Sequence, residues 1–227
     1  MSKSQYAALP FVQIIRHGEA LHNVERWYPH RDPPLTEAGH DASQQIKLAT
    51  TPDIILISPM TRTIQTALQI FPFLQQNDPF PIPVEIWPDL REAHDAECNK
   101  GLSRDELCKK YPQFDFASCT EEWNYPPHTI ERATSRAERV RKRLKELSGT
   151  HPNLAIVTHR GFIAFLVKGR RFNTCEARLY SFATEDEAQK PEIRIGVNCD
   201  TLLEQDFGPT VLVLEKDAQQ DIVTSLS

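Results

Sequence analysis

The sequence predicts an α/β sandwich of three layers, with helices on both faces of a mainly parallel central sheet. Three observations predict it. Short apolar, β-branched runs stand at 11–15, 53–57 and 153–158, the signature of strands buried on both faces. Segments of about ten to twenty residues with helical apolar spacing alternate with them, the pattern that builds parallel sheets. Two of the runs end at a histidine, His17 and His159, and ligands in open α/β sheets sit at such carboxyl ends.

The first strand, 11–15, runs into Arg16-His17-Gly18-Glu19. Leu35, Ala38, Ala42, Ile46 and Ala49 then keep helical spacing, with Thr36 placed to cap the helix. The second strand, 53–57, is closed by Ser58-Pro59, and a helix follows to about Phe71, where Pro72 stops it. Residues 72–88 are a proline-rich connection holding a short extended piece at 84–86. Ser103 and Glu106 form a capping box for a helix over 103–110, and 111–127 reads as loop. Ile130, Ala133, Ala137, Val140, Leu144 and Leu147 hold one apolar face over about five turns. The strand at 153–158 follows, then two more at 178–184 and 210–214, separated by a charged, irregular connection over 185–208. No internal repeat or low-complexity tract interrupts this order.

With 227 residues, 25% charged and 40% hydrophobic, the chain is expected to fold as one domain over 1–227. The connections at about 93–128 and 185–208 are expected over or near its pocket. The net charge of −5 argues against nucleic acid as the partner. No apolar run approaches the length of a membrane span, and the first ten residues lack the apolar core of a signal peptide. The five cysteines, at 98, 108, 119, 175 and 199, are odd in number and lack a C-x-x-C pair, which suits reduced thiols. A cytoplasmic chain, with the nucleus also open to it, is the expectation.

Four local signals carry chemistry: R-H-G-E at 16–19, S-P-M-T-R-T-I-Q-T-A at 58–67, Leu90-Arg91-Glu92, and T-H-R-G at 158–161. Singly each has an ordinary structural reading: a satisfied core histidine, or a solvated arginine. Together they suit phosphoryl transfer. A neutral imidazole is a nucleophile able to take a phosphoryl group. Guanidinium forks match phosphoryl oxygens and balance their charge. A helix N-terminus adds backbone donors, and a carboxylic acid can protonate a leaving oxygen.

On these residues the chain resembles the histidine phosphatase superfamily, with its phosphoglycerate-mutase-like fold. The R-H-G hallmark, the arginine within S-x-x-x-R-x-x-Q-T-A, the L-x-E segment and the H-x-G segment occur in family order across about 11–184. Asn23 falls where the family has a phosphate-contacting Asn, and L-T-E-A-G at 35–39 matches its helix start. The resemblance implies His17 as the phosphorylated nucleophile and Arg16, Arg62 and His159 as both catalytic groups and phosphate ligands. It also implies Asn23 as a further phosphate contact, Glu92 as proton donor, and a reaction needing neither cofactor nor metal. The segment Glu176-Ala-Arg-Leu-Tyr180 is similar to a mostly fungal subgroup of phosphoglycerate-mutase-like proteins.

Two features depart from the family pattern. Arg160 follows the second histidine where Gly or Asp is usual, so it is a candidate contact for a second anionic group on the substrate. The stretch that follows the acid in mutases, W-R-R-S-Y, is replaced by 93–101, A-H-D-A-E-C-N-K-G. A mutase must hold and re-phosphorylate its product, so a phosphatase acting on a small phosphorylated metabolite is preferred. A phosphosugar or phosphoglycerate mutase, or a non-catalytic phospho-ligand binder, is the alternative. Asp95 competes with Glu92 as the acid. The basic residues of 132–145 are read as the solvated face of a helix. Lys168, Arg170 and Arg171 are either a basic helix end or an anion contact. His22, His30, His40, His128 and His151 have no ligand spacing, so no metal site is expected. Trp27, Trp87 and Trp123 either wall the pocket or pack in the core.

Overall fold

The structure is a computed structural model that describes residues 10–25, 27–76, 79–124 and 128–215. The N-terminal segment read above for a signal peptide therefore lies, up to residue 9, outside the described residues, as do residues 125–127 of the predicted loop. In chain order the elements are β1 (Phe11–Arg16), α1 (Leu21–Val24), α2 (Glu37–Gln44), β2 (Ile54–Ile57), α3 (Thr61–Ile70), β3 (Val84–Ile86), α4 (Arg104–Lys110), α5 (Ile130–Leu147), β4 (Asn153–Thr158), α6 (Arg160–Leu166), β5 (Ala177–Phe182), α7 (Glu185–Ala188), α8 (Pro191–Arg194), β6 (Ile195–Val197), β7 (Glu204–Asp206) and β8 (Leu212–Leu214). Short 3₁₀ turns follow α3 and β3 and stand at Glu97–Asn99.

The central sheet has the order β3-β2-β4-β1-β5-β8. Its first four strands are parallel, whereas β5 runs antiparallel to β1 and to β8. Alternation along β2 explains the layering, since successive side chains of a strand point to opposite faces. Ile54 and Leu56 join the core under α5 and α6, with Ala137, Val140, Leu144, Phe162 and Phe165. Ile55 and Ile57 join the core under α3, with Ile64, Ala67 and the loop residues Phe114, Phe116 and Trp123. The expected α/β/α sandwich is the fold.

Several local expectations are corrected. The helix opened by Thr36 ends at Gln44, so Ile46 and Ala49 lie beyond it; Ile46 packs against the core from the following coil. The 111–124 segment is loop, as expected, and it buries Tyr111, Phe114, Phe116, Cys119 and Trp123 in the core on the α3 face. Trp87 and Trp123 are core residues, whereas Trp27 is exposed. The basic run on α5 is not all solvated: Arg136 and Arg141 are buried, and their guanidiniums donate to backbone carbonyls. The 185–208 connection holds two short helices and the separate β6–β7 hairpin. No helix among the described residues is long and apolar enough to cross a membrane.

Candidate active site

Strand register brings the two strand-end histidines together. β1 and β4 pair with Arg16 opposite Thr158, so His17 and His159, one residue further along each strand, come side by side. The His17 backbone N–H donates to the Thr158 carbonyl at 3.0 Å, and the imidazole centroids lie 5.2 Å apart. On the other side of β4 the Ser58 N–H donates to the Val157 carbonyl. Its hydroxyl lies 2.8 Å from His159 Nε2. Arg62 then enters from the first turn of α3, fully buried.

The loop after His17 is held by close backbone approach. A side chain at Gly39 would meet the Glu19 carbonyl oxygen at 2.0 Å, and one at Gly18 would meet Ser43 Oγ at 2.4 Å. Thr36 caps α2 by accepting from the Gly39 N–H at 2.9 Å, and its hydroxyl donates to Glu19 Oε1. Glycine at 39 thus lets α2 abut the phosphate-loop candidate directly.

His17 has its tautomer set by the backbone. Its Nδ1 lies 2.7 Å from the Gly18 carbonyl oxygen, which can only accept, so Nδ1 carries the proton and Nε2 keeps its lone pair. Burial, then the positive charges of Arg62 and Arg16, hold this imidazole well below the usual histidine pKa. His159 is shifted the same way, chiefly by burial and then by Arg62. His22, from α1, lies 5.9 Å from His17, centroid to centroid, and burial and the arginines lower its pKa to about 3. All three rings are therefore neutral at neutral pH.

Donors without partners gather around this ring. Among the described residues, Arg16 Nε, Arg62 Nε, His159 Nδ1 and His22 Nδ1 are buried with no hydrogen-bond acceptor. Buried donors cost free energy when unpaired, so such a concentration marks a place for an anion with several acceptor oxygens. Other guanidinium nitrogens are pinned: Arg16 Nη1 donates to the Phe172 carbonyl at 2.8 Å, and Arg62 Nη1 and Nη2 donate to the Cys98 carbonyl and to Asn99 Oδ1.

Glu92 reaches the same cavity from the loop after β3. Its carboxylate accepts from the Ala93 and Phe162 N–H groups on Oε1 and from the Gly161 N–H on Oε2, so it sits on the free N-terminal donors of α6. A side chain at 161 would lie 2.6 Å from Glu92 Oε1 and from the His94 ring, the physical requirement behind H-x-G. Arg136 fixes the loop from behind, donating to the carbonyls of Asp89, Arg91 and Glu92. Asp95 is set apart: its carboxylate is mostly exposed and meets the His128 N–H at 3.4 Å. It borders a neighbouring cavity, not the one His17 lines.

The cavity over His17 measures about 300 Å³ and is lined by Arg16, His22, Asn23, Glu92, His94 and Arg160, with Cys98 and Asn99. The residues named from the sequence are thus brought together, with Arg62 and His159 buried beneath the surface. Sequence reasoning missed His22, Ser58, Asn99, Arg136 and Asp200. Asp200 lies in the β6–β7 turn, with its carboxylate facing His94, Arg160 and Arg171. Only Ser58, inside the second motif, and His22, five residues after His17, carried any local signal. Lys168 and Arg170 are engaged elsewhere, with the Glu192 carbonyl and the Glu176 carboxylate.

Residues 12–183 match the sequence profile of the histidine phosphatase superfamily, branch 1. The chain belongs to that family. It is a phosphatase of the histidine type. A relative in Schizosaccharomyces pombe, named a "probable phosphatase", is 30% identical over 159 residues, covering 65% of this chain and 73% of its own. Solved histidine phosphatase folds are similar at lower identity. The ecdysone phosphate phosphatase of Bombyx mori, solved with tungstate, superposes with a TM-score of 0.56 at 18% identity, over 78% of this chain and 90% of its own. A mycobacterial glucosyl-3-phosphoglycerate phosphatase gives 0.53 at 19% identity, over 92% and 98%. These last two likenesses establish the fold.

Proposed function

We propose that this histidine phosphatase hydrolyses phosphomonoesters of small phosphorylated metabolites through a phosphohistidine on His17. The observation that carries the reading is the ring of buried, unpartnered donors around a neutral imidazole whose Nε2 lone pair is free. In the first step Nε2 attacks phosphorus and an N–P bond forms. The ester P–O bond breaks, its electron pair goes to the leaving oxygen, and Glu92 supplies the proton. In the second step water attacks phosphorus, Glu92 takes back a proton, and the N–P bond breaks to restore neutral His17.

Arg16 and Arg62 offset the phosphoryl charge, which grows on the equatorial oxygens at the transition state. Ser58 donates its hydroxyl proton to His159 Nε2, which leaves the Nδ1 proton of His159 for a phosphoryl oxygen. Asn23 lines the same cavity and adds a polar contact there. These positive and neutral donors replace a metal in balancing charge, so neither cofactor nor metal is needed. Geometry favours Glu92 over Asp95 as the acid, because only Glu92 lines the cavity with His17. Arg160 lines it too, half-exposed, and suits a second anionic group on the substrate.

Acid-quenching the enzyme during turnover of a ³²P-labelled ester tests the proposal. An acid-labile phosphate should appear on the peptide containing His17 and be chased by unlabelled substrate. Turnover without any labelled histidine would sink the mechanism. Release of inorganic phosphate in step with ester loss separates hydrolysis from mutase transfer.

A further inference from the structure

We infer that Asp200 is a positioning residue that assembles His94 and Arg160 into a second anion subsite at the mouth of the His17 cavity. The substrate is accordingly a phosphomonoester that bears another anionic group close to its phosphate. This rests on the phosphatase reading above and adds the substrate class to it.

Asp200 is anchored from below. In its turn, the Asp200 and Thr201 N–H groups both donate to Asn198 Oδ1, at 2.9 and 3.0 Å. Asn198 Nδ2 donates to Gln205 Oε1, and Gln205 Nε2 donates to the Phe165 carbonyl of α6. Asn198 and Gln205 are both buried. This chain fastens the β6–β7 turn to α6, the helix whose first residue is Arg160.

So placed, the Asp200 side chain is only 5% exposed and faces cations from three segments. His94 Nε2 donates to it at 2.5 Å, Arg171 lies at 3.0 Å, and Arg160 Nε at 3.9 Å. Arg171 also donates to the Cys199 carbonyl and is committed to the turn. His94 and Arg160 instead line the His17 cavity while remaining 47% and 43% exposed. Among the described residues, the Arg160 guanidinium has no partner besides Asp200.

Charge matching assigns the ligand. Arg16 and Arg62 match a phosphoryl dianion over His17, and Arg171 matches Asp200. At the rim, Arg160 and the imidazole of His94, whose protonated form Asp200 favours, both line the cavity, so positive charge there is left for the substrate. The groups bearing on His94 are Asp200, Glu92 and Arg160, and its pKa is raised, first by the hydrogen bond to Asp200.

The test compares 2-phosphoglycolate with ethyl phosphate, which has a methyl group in place of the carboxylate, and adds ethane-1,2-diol bisphosphate as the second-phosphate arm. In wild type, KM for both anionic esters should be about tenfold below that for ethyl phosphate, the scale of one partly screened charge contact. Asp200→Asn should erase most of that gap in KM with kcat little changed, and Asp200→Glu should restore part of it. Selectivity for phosphoglycolate should fall as pH rises through the His94 titration, and in Asp200→Asn that fall should move to lower pH. Should Asp200→Asn fail to fold, Arg160→Gln, at a half-exposed position, is expected to show the same KM split. Equal KM changes on all esters, or a wild-type preference near unity, would overturn the subsite while leaving the phosphatase reading intact. Failure to hydrolyse any ester, para-nitrophenyl phosphate included, would overturn both.

Discussion

The floor and the rim of the cavity are built in opposite ways. The floor consists of Arg16, His17, Arg62 and His159, each at the end of a strand or in the first turn of a helix, and each buried. Backbone register sets their spacing, and low dielectric keeps both histidines neutral. The rim consists of His94 and Asp200 on irregular segments, Asn99 at the end of a 3₁₀ turn and Arg160 at the start of α6, and His94 is pushed the other way, towards its charged form. A rigid floor suits chemistry common to every substrate; a rim assembled from loops suits discrimination among them.

That contrast breaks most sharply at His17. His17→Ala should lower kcat on every ester by about 10⁴-fold or more, with the circular dichroism spectrum unchanged, because covalent catalysis is removed outright. A variant retaining a tenth of wild-type activity would place the nucleophile elsewhere.

Glu92 stands between floor and rim. Glu92→Gln should cost about 10²- to 10³-fold in kcat on alkyl phosphates and far less on para-nitrophenyl phosphate, whose phenolate leaves without a proton. Asp95→Asn should show no such dependence on the leaving group. If the two variants behaved in reverse, Asp95 would be the acid.

Acid titration compares the two kinds of histidine directly. The folded chain keeps His17 and His159 neutral below the ordinary value of 6.5, whereas the unfolded chain protonates them there. Stability should therefore fall as pH drops below about 6.5, by about 1.4 kcal/mol per pH unit for each ring until that ring titrates in the folded state. For His94, with its pKa raised, the contribution is present at low pH and is lost as pH rises through its folded value. Denaturation midpoints of His94→Gln and wild type, measured from about pH 5 to 9, separate these opposite signs.

Smaller effects are expected from the supports. Asn99→Ala removes one acceptor from the buried Arg62 and should raise KM several-fold on all esters, the scale of one hydrogen bond to a charged group. An unchanged KM would show that the Cys98 carbonyl alone suffices to hold the guanidinium. Incubation with EDTA should leave kcat and KM as they were; a loss reversed by Mg²⁺ or Zn²⁺ would contradict the charge balance proposed for the floor.

The two regions also differ in how far the sequence reveals them. Strand periodicity and the short motifs determine the sandwich, the parallel core strands and the floor, because those residues sit at fixed offsets from strand ends and interact through local register. Helix caps at Thr36 and Ser103 were equally legible, since a cap is satisfied within three residues. The antiparallel placement of β5, the burial of Arg136 behind the Glu92 loop, and the meeting of Asp200 with His94 across 106 residues were decided only by the tertiary structure. Their partners are distant in sequence, and a lone Arg or Asp on an irregular segment has the same local pattern whether it faces water or a buried neighbour.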